Sequence, residues 1–101
     1  MNMKPNQKRL DEFLLDLIEF IGKHYPTAFS KTKMMDSTHG IVILIKNEKF
    51  GSDLEISTER CEITFQFGSN RWRIENYKST DELFSKTISD LLSILSGERY
   101  P

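Results

Sequence analysis

The chain has one cysteine, two histidines, five glycines and no long apolar run among its 101 residues. Each shortage excludes something. A lone Cys61 cannot form an internal disulfide, so a reducing compartment is the default. Cys61, His24 and His39 show no short mutual spacing, so no zinc motif is written in the chain. The glycines never cluster as G-x-G or G-x-x-x-x-G-K, which removes the phosphate-cradling loops. No segment approaches the roughly 18 apolar residues of a membrane span. The basic N-terminal residues are followed by a stretch broken by Asp11, Glu12, Asp16 and Glu19, unlike a signal peptide. A cytoplasmic protein without membrane contact is expected. Excess charge of one sign is also missing: the formal net charge is −1. A general polyanion-binding surface needs clustered surplus Lys and Arg.

What is present is one globular domain's worth of sequence, 38% hydrophobic and 29% charged, too apolar for disorder and too short for two domains. Residues 1–6 read as a polar tail. Over residues 7–23, Leu10, Phe13, Leu14, Leu17, Ile18, Phe20 and Ile21 recur at spacings of three and four, the stripe of an amphipathic helix, with Leu15 at its margin. Gly22 and Pro26 bracket its end, and Lys23 and His24 suit the C-terminal dipole. Residues 27–38 read as a loop with a short helical turn. The run Ile41-Val42-Ile43-Leu44-Ile45 is β-branched and apolar on both faces, so it predicts a strand that is central or covered on both sides. Residues 46–52 read as a turn region.

Residues 54–77 alternate apolar and polar side chains almost without error, the period of strands with one dry and one wet face. Strands are expected near 53–58, 61–67 and 70–77. With Glu59-Arg60 as a two-residue turn, Ile56 faces Ile63 and Leu54 faces Phe65. With Gly68-Ser69 as a type II′ turn, Phe65 faces Trp72, Gln66 meets Arg71 and Thr64 meets Arg73. A three-residue loop without a bulge would turn Trp72 outward and is rejected. The dry face is then Leu54, Ile56, Ile63, Phe65, Phe67, Trp72 and Ile74. A closing helix begins at the capping box Ser79-Thr80-Asp81-Glu82, carries Leu83, Phe84, Ile88, Leu91, Leu92 and Leu95 on one face, and stops at Gly97. The prediction is a two-layer α+β domain in the order α-β-β-β-β-α, a four-stranded antiparallel sheet with both helices on one face.

The polar residues make a poor active site. Cys61 reads as a semi-exposed cysteine at the start of a strand. The carboxylates Asp11, Glu12, Asp16 and Glu19 read as a solvated helix face, because nothing beside them would push their pKa values apart. No catalytic residue, cofactor or metal ligand is assigned. Arg71, Trp72 and Arg73 suggest single-stranded nucleic acid, but the register turns Trp72 inward and leaves only Tyr77 at the margin of the outer face. Stacking platforms need outward aromatics. Glu55, Glu62 and Glu75 interleave with the arginines, the pattern of cross-strand ion pairs. A mixed-charge face suits a charge-matched protein partner or plain solubility.

The segment Glu62-Ile63-Thr64-Phe65-Gln66-Phe67-Gly68, followed by Arg71-Trp72-Arg73-Ile74 and a capped helix ending in Ile94-Leu95-Ser96-Gly97-Glu98-Arg99, resembles small bacterial immunity proteins. These are the antidotes encoded beside polymorphic and contact-dependent inhibition toxins. The resemblance covers the C-terminal half. Where such groups often carry His-x-His around the aromatic, this chain has Arg71 and Arg73. The resemblance implies binding without catalysis: a cognate protein toxin, in many cases a nuclease with a basic cleft, met by acidic side chains. Acidic residues available for this are Asp11, Asp16, Glu19, Glu48, Asp53, Glu55, Glu62 and Glu75. The expected partner face is Asp53, Glu55, Glu62, Gln66, Arg71, Arg73 and Glu75. A small adaptor, a secretion chaperone and a single-strand binder stand as alternatives. Monomer and homodimer both stay open, the second through residues 41–45 if they form a sheet edge.

Overall fold

The computed structural model describes residues 5–29, 32–37, 39–46 and 52–98. It is an α+β domain: an N-terminal helix α1 (Gln7–His24), a single helical turn α2 (Pro26–Phe29), strands β1 (Thr32–Ser37), β2 (Gly40–Ile45), β3 (Leu54–Ser57), β4 (Thr64–Phe67) and β5 (Asn70–Arg73), and a C-terminal helix α3 (Thr80–Leu95). The five strands form an antiparallel meander in the order β1-β2-β3-β4-β5. Class, layering and helix placement are as the sequence predicts; the sheet has five strands instead of four.

The added strand is β1, in the segment read as a loop. Its Lys33-Met34-Met35-Asp36 shows no apolar alternation, and Met34 and Met35 are 48% and 47% exposed. What holds β1 is its ladder to β2, with Met35 opposite Val42 and Lys33 opposite Leu44. The short helical turn expected nearby is α2. Most of the expected turn over residues 46–52 lies outside the described residues, as do Glu48 and Arg99. Of the expected N-terminal tail, Pro5 and Asn6 are described. Pro5 is buried, and the Asn6 side chain caps α1 by accepting from the amides of Lys8 and Arg9.

One core lies between the helices and one sheet face. Leu10, Leu14, Leu17 and Ile21 of α1 meet Ile41, Ile43, Ile45, Leu54, Ile56, Phe65 and Phe67 of the sheet and Leu83, Leu91, Ile94 and Leu95 of α3. Burying each such side chain contributes about 1.5–3 kcal/mol relative to leaving it in water. The N-terminal halves of the two helices lock together: Phe13 stacks on Phe84 with ring centroids 3.9 Å apart, and Arg9 lies 5.8 Å from the centre of the Phe84 ring. Leu15 faces water, so it is not part of the buried stripe. Ser79 accepts from the Glu82 amide at the start of α3, and Gly97, at φ 82°, ends it as a left-handed cap.

The two predicted hairpins fared differently. In the second, Phe65 pairs with Trp72, Gln66 with Arg71 and Thr64 with Arg73, as predicted. Gly68 has φ 63° while Ser69 is not at positive φ, the type II′ arrangement. In the first, Ile56 faces Phe65 and Leu54 faces Phe67, a slip of two residues from the predicted pairs. The connection is six residues long, not two, and holds a 3₁₀ turn over Glu59–Cys61. A slip of two keeps every side chain on its face, so the dry face survives. Cys61 therefore belongs to this turn and not to a strand. Tyr77 packs against the core and not at the margin of the outer face.

Candidate functional site

The face of the sheet away from the helices carries the residues singled out by alternation. Antiparallel pairing aligns them in cross-strand rows. Lys33, Leu44, Glu55, Gln66 and Arg71 form one row, and Met35, Val42, Ser57, Thr64 and Arg73 form the next. The face is therefore graded, aliphatic over β1–β2 and polar over β3–β5. Val42 and Leu44 are half-buried but do not belong to the core.

Six of the seven expected partner residues, Glu55, Glu62, Gln66, Arg71, Arg73 and Glu75, fall along the polar strip. Asp53 is set apart, just before β3, where its carbonyl accepts from the Gly68 amide at 3.4 Å. It marks the tip of the β4–β5 turn. Arg73 is the fixed point. Its guanidinium meets Glu75 at 2.7 Å and Glu62 at 3.2 Å, with Nε donating to Glu75 at 2.8 Å. The Glu75 hydrogen bond, followed by the charges of Glu62 and Glu75, holds Arg73 above the ordinary arginine pKa. The guanidinium stays charged at any working pH. Stability from this shift is full at lower pH and is lost only as pH rises through the folded pKa. Exposed pairs of this kind contribute little stability; what they do here is fix directions. Arg71, Lys33 and Glu55 make no ion pair among the described residues; Arg71 and Lys33 are exposed and Glu55 is half-buried.

Trp72 belongs to the core side. It stacks on Phe65 with centroids 5.2 Å apart, and its Nε1 donates to Asp90 at 2.9 Å. No described strand residue on the outer face is aromatic.

A second feature was not anticipated. An open cleft of about 570 Å³ is lined by Gln7, Asp11, Asp36, His39, Gly40, Ile41, Arg60 and Cys61. Its floor is a polar network between the first turn of α1 and the turn after β3. Gln7 accepts from the Cys61 amide at 2.7 Å and donates to the Thr58 carbonyl at 2.7 Å and to Asp11 at 2.9 Å. The buried Thr58 hydroxyl donates to Asp11 at 2.7 Å and accepts from the Ile41 amide at 3.1 Å. Asp11 is thus a tether and not part of a solvated helix face. These contacts hold Arg60 and Cys61 at φ 60° and 59°, a conformation unfavourable for any residue with a Cβ. Among the described residues every buried side-chain nitrogen and oxygen has a partner, and no group of three His, Cys, Asp or Glu is placed to hold a metal ion. The network is spent on fixing the turn. Glutamine at 7, threonine at 58 and glycine at 40 have no local signature, because their partners are distant in sequence.

No family model, curated protein or solved structure matches this chain. Among the described residues no helix is long and apolar enough to cross a membrane.

Proposed function

We propose that this chain is a non-catalytic protein-binding domain, an immunity protein that neutralises a cognate bacterial toxin through the polar strip of β3–β5. The observation that supports this reading is a sheet face, uncovered among the described residues, on which Glu55, Arg71 and Arg73 stand in cross-strand rows and Arg73 is held between Glu62 and Glu75. The Arg73–Glu62–Glu75 cluster needs little ordering on contact, which lowers the entropic cost of binding. Its alternating signs attract a complementary surface and penalise a mismatched one. Carboxylates on this strip suit the basic cleft of a nuclease, and bound there the domain bars substrate without any chemistry of its own. With Trp72 stacked inward, the strip has no base-stacking platform, which favours a protein over a single-stranded nucleic acid.

The test is capture of a partner from the source cell, followed by calorimetry with the purified pair; a partner that is not a toxin overturns the reading. Glu62→Lys and Arg71→Glu together are expected to raise the dissociation constant at least about tenfold, with the larger part in the association rate. The same pair should lower the thermal midpoint by only a few degrees, because the Arg73–Glu62 pair it breaks is partly exposed and contributes little stability. Unchanged affinity would remove the strip from the interface.

A further inference from the structure

The aliphatic half of the outer face poses its own problem. The run 41–45 is apolar on both faces. Ile41, Ile43 and Ile45 are buried beneath the helices, while Val42 and Leu44 point the other way, outside that core. Met35 lies beside Val42 and is 47% exposed. A central strand with aliphatic side chains on its wet face is the pattern of a strand covered twice, and among the described residues it is covered once.

The register indicates the cover. A twofold axis running along β2, above the open face, would set a second copy face to face with the first. In that arrangement Leu44 meets Leu44 of the other copy and Val42 meets Val42. Strand β1 of each copy comes to lie over β3 of the other. Lys33 and Glu55 share a row with Leu44 and stand on either side of it. The axis therefore brings each Lys33 over the Glu55 of the other copy, twice by symmetry. Neither residue has an ion pair among the described residues. Packed sheets lie about 10 Å apart with strands within about 30° of each other, a gap that a lysine and a glutamate reaching toward each other can bridge. The self-complementarity required of an isologous contact is thus present in apolar and in charged groups alike. Strands β4 and β5 extend beyond the overlap and keep their outer face free.

We infer that this chain forms a face-to-face homodimer about β2, with Val42 and Leu44 at its centre and reciprocal Lys33–Glu55 pairs at its margin. The overlap is three strands wide, and interfaces below about 1,200 Å² form the weak, reversible class. The dimer shares Glu55 and the outer face of β3 with the proposed toxin strip, but it assembles from the chain alone, so its test, read without any partner and at Lys33 and Leu44 as well, can fail or hold separately from the toxin test at Glu62 and Arg71.

Sedimentation equilibrium of the purified chain between about 10 and 1,000 µM tests this, a range that brackets weak association. The wild type is expected to pass from monomer to dimer across that range. Leu44→Lys should weaken association at least about tenfold, since it places two ammonium groups on the axis. Lys33→Glu or Glu55→Lys alone should each weaken it about threefold or more by setting like charges opposite each other. The double swap K33E/E55K should return the constant to within about threefold of wild type, a rescue that a merely structural role would not give. All four variants change outward side chains, and unchanged circular dichroism melting shows that they fold. A wild type that stays monomeric to 1 mM, a dimer indifferent to Leu44→Lys, or a double swap without rescue would each overturn the inference. The second of these outcomes would move association to the β1 edge.

Discussion

The two hairpins of β3–β4–β5 reverse the chain by opposite means. Between β4 and β5, two residues suffice. Gly68 supplies the positive φ, Ser69 follows, and the flanking strands pair at once. Between β3 and β4, six residues intervene, and two of them with side chains, Arg60 and Cys61, are held in the left-handed region. No glycine relieves that conformation; Gln7 and Asp11 impose it from outside, gripping Thr58 and the Cys61 amide. The short turn is a local structure stabilised by its own backbone. The long one is a tertiary structure, held by α1 and by the backbone carbonyls of His39 and Ile41. A turn's length is therefore a poor guide to its cost; what matters is whether its conformation is supported from within or from elsewhere.

The largest expected break in this comparison comes at Gly40, where the long connection is most crowded. A Cβ there would lie 2.8 Å from the Gln7 side-chain nitrogen, 3.0 Å from the Thr58 hydroxyl and 3.1 Å from the Glu59 Cα. The backbone at φ 155° already disfavours a side chain. Gly40→Ala should cost about 2–4 kcal/mol, seen as a fall of roughly 10–20 °C in the thermal midpoint. A fall of only a degree or two would mean that the network yields freely.

Gln7→Ala comes next. It strips the Cys61 amide and the Thr58 carbonyl of their side-chain partner, at about 1–3 kcal/mol. Hydrogen exchange separates the two turns: protection should drop at the Cys61 amide and stay constant at the amides paired across β4–β5. Equal loss in both hairpins would erase the distinction drawn between them. The smallest effect is expected for Gly68→Ala, about 1–2 kcal/mol in urea unfolding, with the β3–β4 connection unaffected.

The same contrast explains what could be read ahead of the structure. The dry face, the inward-facing, half-buried Trp72 and the β4–β5 register follow from a period of two and one glycine, both local. The polar strip was legible for the same reason, since alternation places Glu55, Gln66, Arg71 and Arg73 outward whichever even register is chosen. The β3–β4 pairing was misjudged because Glu59-Arg60 looks like a turn by itself. Its actual form depends on a glutamine 54 residues away from Cys61. Strand β1 escaped notice because Lys33, Met34, Met35 and Asp36 are not arranged for burial; it is a strand because β2 offers it a ladder. The cleft was invisible because its floor is made of contacts between segments that no short motif links.

That span of 54 residues between Gln7 and Cys61 also sets an order in time. On the ribosome the amphipathic α1 emerges before the strands it packs on. At about 5–20 residues per second, several seconds pass before the turn that its first residues must grip has been synthesised. During that interval Leu10, Leu14, Leu17 and Ile21 are exposed as a nascent apolar stripe. A helix that caps the finished fold is, while the chain is being made, an apolar stripe still waiting for its sheet.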